Sequence, residues 1–397
     1  MQKNGVKQGA VSLFMVIFSM LIITVITVGF LRLVVADQRQ ATDNDLSQSA
    51  YDSALTGVED AKRALLSCYR GASGCDKSSI ADETCNAAIV RYTGVQAETD
   101  AAGTLGEVPI QRSSGSENDR QLDQAYTCVT IQPDTYDYLA SLSVDESKLI
   151  PLKGTAPWDS VRVSWFLSGK DVKSPDGAID VLSPTEVAKG YKGFPKQVQW
   201  PDNRPSVLRT QFMQVGKDFN LSQFDAEVDG KSNANTVFMY PAASGVTTTS
   251  IADRDSRRDI SDEERLPADP SNAPLGVQCQ SVAAGGYACS VRLAVPRAVG
   301  TDETGAAAFL RLTALYVGTS FRVELMNGDV PVKFDGVQPK VDSTGRANDL
   351  FRRVEARVDL QANAFPLPQA AVDVSGNFCK NFTVTPDKYS PSDSCKP

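Results

Sequence analysis

The chain has 397 residues, 42% hydrophobic and 22% charged, with a formal net charge of −8 and no histidine. That is ordinary globular material, long enough for a helical stem and about two domains. The missing histidine removes Ser-His-Asp and Cys-His nucleophile systems and the commonest zinc ligand. The negative charge offers no general attraction to a nucleic-acid backbone, and no glycine-rich phosphate loop occurs. No enzymatic activity, cofactor, metal site or nucleic-acid partner is expected.

In chain order, a short basic leader with Lys3 and Lys7 ends in Gly9, and no charge occurs from Gln8 to Leu31. A removable signal peptide has an apolar core of about 7–15 residues followed by a small-residue cleavage site. This run instead reaches the roughly 20 residues that cross a bilayer. Helical character continues past Arg32 to Leu66 without a proline, and Gly57 is its weak point. A single helix from Ala10 to Leu66 would extend about 85 Å at 1.5 Å per residue. In its outer half Leu46, Ala50, Ala54, Val58, Ala61 and Leu65 form one apolar stripe. The stripe is either the cover of a β-sheet or a dimerising seam. Glu59 and Arg63 are spaced for an i,i+4 ion pair. Basic residues flank the span almost equally, with Arg32 and Arg39 beyond it, so the positive-inside count is nearly tied. The short leader and the cysteines beyond the span place the head outside.

Gly71 and Gly74 end the helical region, and Ser113–Asp119 reads as a loop. The cysteines are Cys68, Cys75, Cys85, Cys128, Cys279, Cys289, Cys379 and Cys395, all beyond the apolar run. With no CxxC spacing they read as disulfide candidates rather than metal ligands, although spacing alone does not fix connectivity. Proximity favours Cys68 with Cys75, Cys85 with Cys128, and Cys379 with Cys395. Val277–Val282, a turn at Ala283–Gly286 and Tyr287–Val291 read as a hairpin that sets Cys279 opposite Cys289.

From Asp159 the pattern turns to strands: Val161–Phe166, Val207–Met213 and Thr236–Tyr240, punctuated by Pro175, Pro184, Pro195, Pro201 and Pro205. Tyr191, Phe194 and Trp200 form either a recognition surface or a small β core. The mixed charge cluster at Asp253–Glu264 lacks the DxDxDG spacing of a calcium loop and reads as solvated. Farther on, Ala308–Tyr316 and Ser320–Leu325 flank a turn at Val317–Thr319. Gly336–Asp342 is followed by Ser343-Thr344-Gly345 and then by Leu350–Leu360. An antiparallel sheet with one apolar face needs a cover, and the Leu46–Leu65 stripe supplies one.

The stretch Lys7-Gln8-Gly9-Ala10-Val11-Ser12-Leu13, its apolar continuation, and the polar helix with Asp37, Gln38, Arg39, Gln40, Ala50, Tyr51 and Ala54 resemble type IV pilins. They are most similar to the PilX-type minor pilins and to the K-type minor pseudopilin of type II secretion. The resemblance is specific over residues 5–66 and weak elsewhere. It implies cleavage after Gly9 by a prepilin peptidase and a new, methylated N-terminus at Ala10. It also implies a filament core that includes Ala10, Leu13, Phe14, Ile17 and Leu21. Major pilins carry an aromatic residue where this chain has Ala10, and a glutamate where it has Phe14. Those departures fit a tip or priming subunit rather than the abundant shaft subunit. The closing strands around Ser343-Thr344-Gly345 are similar to the last sheet of PilX-type heads, and calcium sites occur among K-type relatives.

The reading is therefore an α+β, pilin-like architecture. It comprises a leader at 1–9, a long helix at 10–66 with its membrane part at 10–31, and a cysteine-containing connection at 67–154. A β-rich inserted lobe at 155–265 and a C-terminal antiparallel sheet at 266–397 complete it. The expected function is a minor pilin or pseudopilin that primes a filament or sits at its tip and presents an extracellular head. Its expected partners are other pilin subunits, the prepilin peptidase, the inner-membrane assembly machinery and the membrane. The alternative is a single-pass, membrane-anchored surface-binding protein that never enters a filament.

Overall fold

The computed structural model of the chain describes residues 9–99, 103–111, 123–183, 197–215, 227–228, 230–252, 254, 273–300 and 307–360. Three helices come first: α1 (Gly9–Tyr69), α2 (Lys77–Ile80) and α3 (Ala87–Thr93). Strands β1 (Val108–Gln111) and β2 (Gln124–Gln132) follow, then β3 (Asp137–Leu142), β4 (Ser147–Pro151), β5 (Trp158–Leu167) and β6 (Val207–Val215). Next are β7 (Glu227–Val228), β8 (Lys231–Ser232), β9 (Ala234–Ala242), β10 (Thr248–Ser250), β11 (Leu275–Gln278) and β12 (Tyr287–Val299). The series ends with β13 (Ala307–Leu315), β14 (Thr319–Asn327), β15 (Val330–Val332), β16 (Lys340–Ala347) and β17 (Leu350–Arg357).

These elements build two bodies. The first is α1 laid on a four-stranded antiparallel sheet of order β1-β2-β16-β17. Proline-free sequence lets α1 run unbroken past Leu66. It stops where Gly71 adopts φ 84° and its N–H bonds back to the Cys68 carbonyl. Ala50, Ala54, Val58, Ala61, Ala64 and Leu65 are buried, against Tyr126, Val129, Ile131 and Val341 of the sheet. The apolar stripe is thus the cover of a sheet within its own chain. The other sheet face carries cross-strand ion pairs, Lys340 with Glu355 (2.9 Å) and Arg346 with Glu107 (2.7 Å), as a solvated antiparallel face does.

The second body is a two-layer sandwich. One layer has the order β10-β12-β5-β14-β15, with β3 also paired to β14, and the other the order β11-β9-β6-β13-β4. Their inner faces share one core, with Val163, Trp165, Phe321 and Val323 from the first layer and Leu208, Phe212, Val237 and Leu310 from the second. β2 and β16 are hydrogen-bonded neighbours, yet all of β3–β15 lies between them in sequence. The sandwich is therefore inserted between the two central strands of the stem sheet.

Four expectations are corrected. The insertion is not confined to 155–265, because its strands run from Asp137 to Val332. The connection at 67–154 accordingly contains β1 and β2 of the stem sheet and β3 and β4 of the sandwich, and the segment 266–397 is likewise divided. Ala308–Tyr316 and Ser320–Leu325 are not a hairpin. β13 pairs with β4 and β6, β14 pairs with β3, β5 and β15, and Tyr316 at φ 75° turns the chain from one layer to the other. The Cys279–Cys289 hairpin keeps its bridge, but its arms diverge, β11 into one layer and β12 into the other. Finally, Ser343-Thr344-Gly345 is the interior of β16. The reversal falls at Asn348-Asp349, where Asn348 takes φ 53° in keeping with a two-residue hairpin loop.

Candidate functional site

The lower half of α1 has no cover from its own chain. It is the one helix among the described residues long and apolar enough to cross a membrane, and its most apolar window is not buried at all. Ile17 and Leu21 are 55% and 60% exposed, and Met15, Phe18 and Phe30 stand out beside them. The polar side chains of the run turn inward. Ser19, Thr24 and Thr27 donate to the carbonyls of Val16 (3.0 Å), Met20 (2.8 Å) and Ile23 (2.7 Å), which satisfies these three hydroxyl protons in lipid. By length and composition the N-terminal helix can cross a membrane. Gly9 opens α1 and Ala10, Leu13 and Phe14 are in it. Leader residues 1–8 and the side chains of Ala10, Leu13 and Phe14 lie outside the described residues.

The upper half of α1 meets the sheet almost backbone to backbone. Ser343 of β16 donates to the Ala54 carbonyl at 2.7 Å, and Gly57 faces Ser343, Val129 and Tyr126 with no room for a side chain. The weak point at Gly57 is thus a close approach. One turn above it Asp60, 6% exposed, accepts from the Tyr126 hydroxyl at 3.0 Å and pairs with Arg63 at 3.0 Å. The expected Glu59–Arg63 pair does not form; Glu59 meets Lys62 at 3.7 Å, because Asp60 is the acid turned toward the sheet. Burial, and then the Asp60 charge and hydrogen bond, push the Tyr126 phenol well above its ordinary value.

Disulfides secure this arrangement. Cys68–Cys75 closes the end of α1, Cys85–Cys128 ties the segment before α3 to β2, and Cys279–Cys289 ties the two layers of the sandwich. These are the pairings that proximity and the hairpin favoured; Cys379 and Cys395 lie outside the described residues. Beside Cys85, the fully buried Asn86 takes φ 64°. It donates to the Gly106 (2.8 Å) and Thr127 (3.2 Å) carbonyls and accepts from the Val129 N–H (2.9 Å). Sequence reasoning passed over both Asn86 and Asp60. A polar residue inside a helix, like Asp60, or just before one, like Asn86, carries no local mark of burial. Three disulfides are the mark of a head that folds in an oxidising compartment.

Trp200 is in a small core, not on a recognition surface. It is 6% exposed, stacks on Tyr316 at 4.4 Å, and lies under Arg204, which bonds Asp180 at 2.9 Å. Tyr191, Phe194 and nearly all of the 253–264 charge cluster lie outside the described residues, as does Ser113–Asp119. Among the described residues no three His, Cys, Asp or Glu side chains are grouped to hold a metal ion.

Stem module and sandwich meet along a polar seam where the chain crosses twice, paired at Thr135 and Phe334. Asp335, in one crossing, receives Lys77 from α2 and Lys153 (2.7 Å) from the sandwich side, and Lys77 also reaches Asp134 (2.8 Å). Asp359, just after β17, accepts from Lys148 (2.6 Å) of β4 and the Tyr138 hydroxyl (3.0 Å) of β3. Arg357 of β17 meets Asp137 of β3 at 2.8 Å. Burial alone would raise the Asp335 carboxyl, but hydrogen bonds and charge from Lys153 and Lys77 outweigh it and hold it below the usual carboxylate range.

No family model and no curated protein matches the sequence. One solved structure, described as manganese lipoxygenase of Gaeumannomyces graminis with part of zonadhesin of Komagataella pastoris, aligns at a TM-score of 0.12 and 9% identity. The alignment covers 72% of this chain and 75% of that one, and at that score it carries no argument about fold.

Proposed function

We propose that the chain is a minor pilin or pseudopilin that primes a type IV pilus-like filament or stands at its tip. The observation that carries this reading is the single helix Gly9–Tyr69, docked on a sheet in its upper half and bare in its apolar lower half. In the membrane that lower half is solvated by lipid. Drawn out of the membrane it must be covered by other apolar helices, and copies of similar stems are the natural cover. On this reading a prepilin peptidase cuts between Gly9 and Ala10, inner-membrane assembly machinery extracts the stem, and Leu13, Phe14, Ile17 and Leu21 join the filament core. Phe14 presents no carboxylate to a neighbouring N-terminus, which supports a terminal position. The inserted sandwich is the extracellular binding head.

The test is where the chain is found. Filaments sheared from host cells should contain it at low copy beside an abundant subunit. Recovery from the membrane fraction alone, with none in filaments, would support the anchored surface-binding alternative instead.

A further inference from the structure

The two bodies keep separate interiors. Val358, Val341 and Ile131 belong to the core under α1, and Phe334, Val337 and Tyr138 to the core of the sandwich. No strand of the stem sheet pairs with a strand of either sandwich layer. What joins them, among the described residues, is polar. Besides the ion pairs at Asp335, Asp359 and Asp137, the buried Gln338 side chain accepts from the Leu139 N–H (2.9 Å) and donates to its carbonyl (2.8 Å). The Thr135 hydroxyl donates to the Gln338 carbonyl at 3.2 Å. One crossing begins at Pro133. The other contains Gly336, at φ 64° with open space where a Cβ would stand.

We propose that this seam is a salt-sensitive electrostatic latch on which the sandwich swings relative to the stem. An interface between bodies with independent cores and little shared apolar surface allows relative motion by default. Beside the neutral bonds of Gln338 and Thr135, the part of the resistance that salt can reach comes from charges: Lys77, Lys148, Lys153 and Arg357 against Asp134, Asp137, Asp335 and Asp359. Lys153 and Lys77 are substantially exposed at 71% and 45%, so bulk ions reach them and screening loosens the seam. The backbone can follow at Gly336, inside the second crossing, where φ is 64° and nothing stands within 4 Å of a Cβ position. Such a latch lets a bound head reorient when its stem is pulled, without either core opening. It acts in the head whether or not the stem enters a filament, so its failure would leave the pilin reading untouched.

The experiment uses the full chain in detergent micelles, spin-labelled through unnatural ketone residues at Lys62 on α1 and Lys173 in the sandwich. Electron-spin distance measurements should show one narrow distribution at about 0.1 M salt that broadens and shifts at about 1 M salt. The Asp335→Asn/Asp359→Asn variant should be broad at both. A narrow distribution unchanged by salt and by the variant would make the two bodies one rigid unit and overturn the latch. Near-ultraviolet circular dichroism reports whether the variant is folded; if it is not, the salt series on the native chain decides alone.

Discussion

Gly345 of β16 lies directly on Ala54 of α1: a Cβ on the glycine would overlap the Ala54 nitrogen and the Ala50 carbonyl oxygen. The helix is therefore seated on the strand at backbone distance, and the obstacle to a side chain is main chain, which cannot rotate away. Gly345→Ala should destabilise the stem module by about 3 kcal/mol, the upper part of the range for overpacking. Gly169→Ala, where a Cβ meets nothing within 4 Å, should be near neutral. Denaturant unfolding of the two variants checks the difference.

Tyr126 holds the one acid that α1 turns into the sheet. Tyr126→Phe leaves Asp60 without its hydroxyl donor and should cost about 1–3 kcal/mol. The phenol is raised above its ordinary value by burial and by Asp60, so its neutral form is the one that the fold stabilises. That contribution is complete below the unfolded tyrosine value of about 10 and is lost as pH rises beyond it. Ultraviolet titration should find Tyr126 still protonated in the native protein at pH about 11, with ionisation arriving together with unfolding. Ionisation of Tyr126 at an ordinary tyrosine value in folded protein would contradict this.

Removal of the Cys279–Cys289 bond acts on the sandwich, because it staples β11 of one layer to β12 of the other. The double alanine variant should lose about 2–3 kcal/mol from the sandwich and leave the stem module at its native stability. Hydrogen exchange resolves the two bodies: faster exchange in β5 and β9 with β2 and β16 unchanged is expected. Equal loss in both would show that the two cores unfold as one.

What was legible in the sequence was local. A proline-free run with small residues at intervals of three and four marks α1 and its buried face, and Gly71 marks its end. Each of the three described disulfides joins a cysteine to the next one along the chain, at separations of 7, 43 and 10 residues. Strand partners were not legible. Ala308–Tyr316 and Ser320–Leu325 have the alternation of a hairpin, and no residue states that Tyr316 sends the second strand to the opposite layer. The insertion was misplaced for the same reason, since the pairing of β2 with β16 depends on residues more than half the chain apart. Gly345 read as part of a break between two strands because a glycine marks a break and a close approach alike, and only the helix packed on it tells them apart.

The proposal at the centre is that α1, cut after Gly9, leaves a stem at Ala10–Tyr69 that can leave the membrane and pack against its like. The most direct test is mass spectrometry of the N-terminal peptide of protein isolated from its host. A mature chain beginning at Ala10, with a methylated amine, is the predicted result. A chain at the cell surface that still begins at Met1 or Gln2 would contradict the account and leave a permanently anchored binding protein.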